Sequence, residues 1–134
     1  MTTFYDSAKL AWELIDRAEL DGGGTVSTVP GLLIPSAGYV VGNPRHTLTL
    51  TQADRDDVLG TFDRIETWLH HAATITGYVG SWIDTNTGTL YLDVVDILPE
   101  RVPAEELGRE RGELAIYCLH RGEEIRLAAD LVTV

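Results

Sequence analysis

The strongest constraint on this chain's fold is residues 77–98: Gly77-Tyr-Val-Gly-Ser-Trp-Ile-Asp84, Thr85-Asn-Thr-Gly88, then Thr89-Leu-Tyr-Leu-Asp-Val-Val-Asp-Ile-Leu98. Two runs rich in β-branched and aromatic residues flank a four-residue connection ending in glycine, where a positive φ is needed, so the segment reads as a β-hairpin. With Asp84 opposite Thr89, the other pairs follow: Ile83 with Leu90, Trp82 with Tyr91, Ser81 with Leu92, Gly80 with Asp93, Val79 with Val94 and Tyr78 with Val95. Side chains alternate along a strand, so this register sorts them into two faces. Val79, Ser81, Ile83, Leu90, Leu92 and Val94 form an apolar face with one hydroxyl, the expected core face. Tyr78, Gly80, Trp82, Asp84, Tyr91, Asp93 and Val95 form the other. A slip of one residue would exchange the two sets.

The rest of the chain has to supply partners for that core face. At 134 residues it is expected to be a single globular domain, 1–134, with one core. Its apolar content of 44% and charged content of 23% are those of a folded protein. No apolar run is long enough to span a bilayer, and Met1-Thr-Thr-Phe-Tyr-Asp6 lacks the layout of a signal peptide, so a cytoplasmic location is expected. Cys118 is the only cysteine, which excludes an internal disulfide and a cysteine-based zinc site and leaves a small buried hydrophobe, with a nucleophile as the alternative. Ten basic residues against 21 acidic ones give a net charge of −11, which disfavours direct binding to nucleic acid, where affinity comes from cations neutralising phosphates. Such a surface serves solubility, or imitates nucleic acid towards a basic partner. Lys9 is the only lysine, which argues against Schiff-base chemistry and a phosphate-loop lysine.

Periodicity places the remaining elements. Ala8, Ala11, Leu14, Ile15 and Ala18, widened by Leu10 and Trp12, predict an amphipathic helix over about residues 4–20, with Thr3 and Asp6 at capping-box spacing and Gly22–Gly24 as its end and a loop. Pro30 and Pro35 bracket a short edge strand or extended loop. Gly38–Val41 and His46–Leu50, on either side of Gly42-Asn-Pro-Arg45, read as a second hairpin whose Thr47 and Thr49 face water. Thr51 and Asp54 repeat the capping spacing and open the longest predicted helix, about 52–74, with a seam of Val58, Phe62, Ile65, Leu69 and Ala72 broadened by Leu59, Trp68 and Ala73. Gly60 inside it costs about 1 kcal/mol relative to alanine unless something packs closely there. A short helix is expected over Pro103–Arg111, stopped by Gly112. Strands Glu113–His120 and Glu124–Leu127 follow, the first a central strand buried on both sides. The fold class is α+β: an antiparallel or mixed sheet built from hairpins, with two main helices and one short helix packed largely on one face.

Few residues point to chemistry. Asp56, Asp63 and His70 are seven apart, and Glu66 lies between the last two, a spacing that could hold a divalent metal on one helix face. That face lies opposite the apolar seam and reads as solvated, so no metal and no cofactor is expected. Asp84, Asp93, Asp96 and Glu100 cluster around the hairpin, and Asp84 is explained by bonding to the turn backbone. Asp93 faces Gly80 between Tyr78 and the Trp82/Tyr91 pair, a spot suited to a cation, a planar ligand or a partner's arginine. Ser81 lacks the second glycine of a nucleophile elbow and points to the core. No catalytic residue is assigned; the candidate binding residues are Tyr78, Trp82, Tyr91 and Asp93.

The strings Gly80-Ser-Trp-Ile-Asp84, Thr87-Gly-Thr-Leu-Tyr-Leu-Asp-Val94, Leu107-Gly-Arg-Glu-Arg-Gly-Glu-Leu-Ala-Ile-Tyr117, Gly122-Glu-Glu-Ile-Arg-Leu127 and Gly38-Tyr-Val-Val-Gly42 resemble small uncharacterised acidic proteins of actinobacteria and their phages or mobile elements. The resemblance covers roughly residues 37–127 and implies an accessory or regulatory role, with no activity and no site residues attached. The expected function is a non-enzymatic protein-interaction module using the aromatic and acidic hairpin face. One alternative is a small enzyme or ligand-binding protein with a pocket at Asp93; another is an acidic nucleic-acid mimic that inhibits a basic protein. The expected partner is a second copy of the chain, forming a homodimer, or a different and more basic protein, with no direct nucleic-acid or membrane contact.

Overall fold

The computed structural model describes residues 7–29 and 32–127, and within them the chain runs α1 (Ser7–Asp21), β1 (Gly23–Ser27), β2 (Tyr39–Leu50), α2 (Gln52–Asp56), α3 (Val58–Ala72), β3 (Tyr78–Asp84), β4 (Thr89–Leu98), α4 (Arg101–Glu110), β5 (Ala115–Cys118) and β6 (Glu123–Arg126). The strands form one antiparallel, curled sheet in the order β1-β3-β4-β2-β5-β6, an α+β fold as expected. Among the described residues the buried apolar side chains form two clusters where one core was expected. The chain divides accordingly into two compact units, Met1–Ile34 with His46–Val94, and Pro35–Arg45 with Val95–Val134.

In the first unit the hairpin has the predicted register, from Val79 opposite Val94 to Asp84 opposite Thr89. Gly88 takes a φ of 73°, its N–H donates to the Asp84 carbonyl at 2.7 Å, and the Asn86 N–H donates to Asp84 Oδ1 at 2.9 Å, closing the turn. Val79, Ser81, Leu90, Leu92 and Val94 are buried and Ile83 packs beside them, so the core face is the predicted one. Ser81 Oγ donates to the Leu14 carbonyl at 2.9 Å, which satisfies the one hydroxyl on that face and ties β3 to α1.

Helix α1 buries Leu10, Ala11, Leu14 and Ala18, residues spaced by three and four. Trp12, predicted to widen this stripe, is instead 55% exposed, and Ala8 is exposed too. The predicted Thr3–Asp6 cap lies outside the described residues. Gly22, at φ 83°, ends the helix, but Gly23 and Gly24 form strand where a loop was expected. A Cβ on Gly23 would stand 2.5 Å from the Ser81 carbonyl oxygen, and one on Gly24 2.5 Å from Arg17 Cδ, so these glycines let the edge strand and helix approach closely.

The single helix expected over 52–74 is broken in two. Thr51 and Asp54 form the predicted capping box for α2. Asp57, at φ −86° and ψ 90°, leaves helical geometry and caps α3, accepting from the Gly60 N–H at 3.0 Å. A Cβ on Gly60 would collide with the Asp57 carboxylate, which is the close packing that its glycine serves. Ile65, Leu69 and Ala72 of α3 are fully buried against the sheet with Leu14, Leu50, Leu90 and Leu92. Each such leucine or isoleucine contributes about 1.5–3 kcal/mol relative to exposure.

The second hairpin predicted over residues 38–50 does not form; β2 runs unbroken from Tyr39 to Leu50. A tight turn there would need a positive φ, and Gly42 does not take one, whereas Gly38, just before the strand, does at 116°. Strand β5 pairs only with Tyr39 and Val40, so Pro44 lies beyond that ladder. As expected, Leu50 is buried while Thr47 and Thr49 face water.

In the second unit Val41, Ala104, Ile116 and Leu127 form the core, with Tyr39, Leu98, Leu107 and Ile125 around them. Gly108 sits where a Cβ would stand 2.6 Å from Leu127 Cδ1, and Gly112, at φ 73°, ends α4. Strands β5 and β6 pair from Ala115 with Arg126 to Cys118 with Glu123. β5 lies inside the sheet order but is wet on one side: Ile116 and Cys118 are buried, while Tyr117 is 43% exposed, which corrects the expectation of two buried faces. Arg111 joins the Gly42 carbonyl at 3.1 Å to Asp96 at 2.7 Å. Among the described residues no helix is long and apolar enough to cross a membrane.

Candidate functional site

The outer face of the hairpin is built by register. Strand β1 pairs Gly23 with Trp82, Thr25 with Gly80 and Ser27 with Tyr78, while β4 pairs Tyr91 with Trp82 and Asp93 with Gly80. Thr47 of β2 reaches Asp93 from the other side, its Oγ1 donating to Asp93 Oδ1 at 2.5 Å. A polar row, Thr25, Gly80, Asp93 and Thr47, therefore crosses four strands between Tyr78 on one side and the Trp82/Tyr91 pair on the other. Gly80 contributes no side chain, so the row is lowest beside Asp93.

The two aromatic rings opposite each other stack, with centroids 4.6 Å apart and planes 15° from parallel. Stacking shields Tyr91, which is half-buried, but leaves Trp82 47% exposed. Tyr78 is half-buried, and Val95, expected on this patch, is buried, so the exposed aromatic surface is smaller than the sequence implied and centres on Trp82. Burial raises the Asp93 carboxyl above the ordinary range of an aspartate, and the Thr47 hydroxyl bond offsets this in part by favouring the anion. The four predicted residues thus share one face, and the face can offer a cation a carboxylate and a flat π surface. Thr25 and Thr47 went unrecognised as members. The alternation of Thr47 and Thr49 marks a wet face, but nothing local says that β2 lies beside β4.

The other candidates separate. Asp56 is on α2, beyond the Asp57 break from Asp63, Glu66 and His70, so the seven-residue spacing does not produce one helix face. Glu66 accepts from Ser7 Oγ at 2.7 Å, and Asp56 accepts from Gln52 Nε2 at 3.2 Å. Among the described residues no group of three histidine, cysteine or carboxylate side chains is arranged to hold a metal. Cys118 is buried, and its Sγ lies 3.5 Å from His120 Nδ1 and 3.6 Å from Nε2. Near-equal distances put the sulfur off both nitrogen axes, so neither ring nitrogen is aimed at it as the base of a nucleophilic cysteine would be.

Arg55, which the sequence does not single out, donates to the Gly88 carbonyl at 2.8 Å and to Glu19 at 2.9 Å, clamping the hairpin turn to α1 and α2. It borders a cleft of about 290 Å³ lined by Trp12, Ile15, Glu19, Gln52, Val58, Thr61, Phe62 and Leu90, away from Asp93. No known protein family, curated protein or solved structure matches this chain.

Proposed function

We propose that this chain is a non-enzymatic protein-interaction module, regulatory or accessory, that holds a basic segment of a partner protein on the outer face of β3 and β4. The observation that carries the reading is Trp82, 47% exposed and stacked on Tyr91, two residue pairs along from Asp93 and on the same face. A guanidinium entering beside Gly80 would pair with the Asp93 carboxylate and lie against an aromatic face, the arrangement in which arginine contributes most at interfaces. The net charge of −11 adds long-range attraction for a basic surface. Self-pairing through the same face would bring two copies of Asp93 together near a two-fold axis, which disfavours a homodimer there. The accessory role accords with the resemblance to proteins of actinobacterial phages and mobile elements.

The test is affinity capture from the native host with wild type, Trp82→Glu and Asp93→Asn, paired with light scattering on each. A basic protein retained by wild type and lost from both variants is expected. Retention by both variants would place the contact elsewhere, and a wild-type dimer that Trp82→Glu dissolves would give the face to a second copy.

A further inference from the structure

The helix layer of the first unit carries a second surface of different character. Trp12 of α1 meets Phe62 of α3 edge to face, with centroids 4.7 Å apart and planes at 64°. Beside this pair Val58 and Leu59, on the first turn of α3, are 61% and 84% exposed, and Trp12 is 55% exposed. Val58 and Phe62 are four apart and Leu59 and Phe62 three apart, so the three adjoin on one helix surface. The cleft of about 290 Å³ opens beside Trp12, Val58 and Phe62, with Ile15 and Leu90 on its walls. Its volume is at the bottom of the range for small-molecule sites, which fits an anchoring side chain better than a whole ligand.

Charge decides what kind of anchor. Residues 7–21 and 52–72 hold nine carboxylates, at Glu13, Asp16, Glu19, Asp21, Asp54, Asp56, Asp57, Asp63 and Glu66, against four cations, Lys9, Arg17, Arg55 and Arg64. Arg55 and Arg64 are paired with Glu19 and Asp54. An apolar strip on two helical segments whose carboxylates outnumber their cations is the complement of a helix with leucine-like residues on one side and lysine or arginine on the other. We propose that the Trp12–Val58–Leu59–Phe62 surface docks a basic amphipathic helix of a partner protein, with one large apolar side chain in the cleft. This surface lies on the helix layer, opposite the Trp82 face of β3, and does not depend on the function proposed for that face.

The probe is a synthetic amphipathic leucine/lysine helix added to the full chain at 0.15 M salt, with affinity from calorimetry and location from amide and indole NMR shifts. Two controls are a scrambled peptide of the same composition and a leucine/glutamate analogue. Shifts at Trp12, Val58 and Leu59 are expected, with affinity falling about tenfold in Leu59→Ser and unchanged in Trp82→Ala. Leu59 is 84% exposed, so its replacement leaves the core intact. Equal binding of the scrambled peptide would reduce the effect to net charge and overturn the proposal, as would unchanged affinity in Leu59→Ser or shifts confined to the Trp82 face. A wild-type dimer that Leu59→Ser dissolves would assign the surface to a second copy instead.

Discussion

Truncating Leu92 to alanine tests the hairpin faces directly. Leu92 is 0% exposed, lies opposite Ser81 in the β3–β4 ladder, and belongs to the cluster that holds Leu14, Ile65 and Leu69. The change removes three carbons from a dry site, about 2.4 kcal/mol at 0.8 kcal/mol per carbon. A cavity penalty is added to the extent that the surroundings cannot close in. Strand β4 is hydrogen-bonded on both sides in the interior of the sheet, and the helices in front are held by Ser81 to Leu14 and by the Asp57 cap, so little collapse is available. The expected loss is therefore about 3–4 kcal/mol, in the middle of the range for buried leucines. With a urea m-value of about 2 kcal/mol/M, the unfolding midpoint falls by about 1.5–2 M. Trp82→Ala, one strand pair away but on the wet face, should cost under about 1.5 kcal/mol despite the larger side chain. Urea melts followed by circular dichroism measure both. A loss below about 1 kcal/mol for Leu92→Ala, or a greater loss for Trp82→Ala, would show that the faces are reversed.

Asp93→Asn is expected to stabilise the protein at pH 7. Burial raises the Asp93 carboxyl, so its contribution favours folding below the ordinary aspartate range and is lost as pH rises through the raised value; the variant's advantage should vanish by about pH 3, and an advantage independent of pH would refute the assignment. Gly60→Ala, which in an exposed helix interior gains about 1 kcal/mol, should instead destabilise here because the new Cβ displaces the Asp57 cap. The gain should reappear in an Asp57→Ala background, and additive effects in that double-mutant cycle would disprove the clash. Prolonged treatment with a chelator should leave the melting temperature unchanged, and a rise of several degrees on adding zinc or manganese, abolished by His70→Ala, would overturn the solvated reading of α3.

Features decided between neighbouring residues are legible in the chain alone. The hairpin register follows from a four-residue turn in which Asp84 and Gly88 satisfy the backbone, and strand alternation then assigns Leu92 inward and Trp82 outward without reference to the rest of the chain. The α2 cap is equally local, because Thr51 and Asp54 meet within one turn. Local rules misled wherever a distant partner outweighed them. Gly42-Asn-Pro-Arg45 has the composition of a turn, yet β2 runs straight through it to take its place between β4 and β5 in the sheet. The Asp56–Asp63–His70 spacing promised one helix face, but Asp57 gives its carboxylate to Gly60, and the helix restarts. Trp12 fits an apolar stripe by spacing, but α1 can bury only the side turned to the sheet, and the tryptophan is left to meet Phe62 at the surface. The trough around Asp93 required four strands to come together in an order that is not the chain order. Sequence spacing carries no information on which strands adjoin, so only the tertiary structure could place Thr25 and Thr47 beside the residues already singled out.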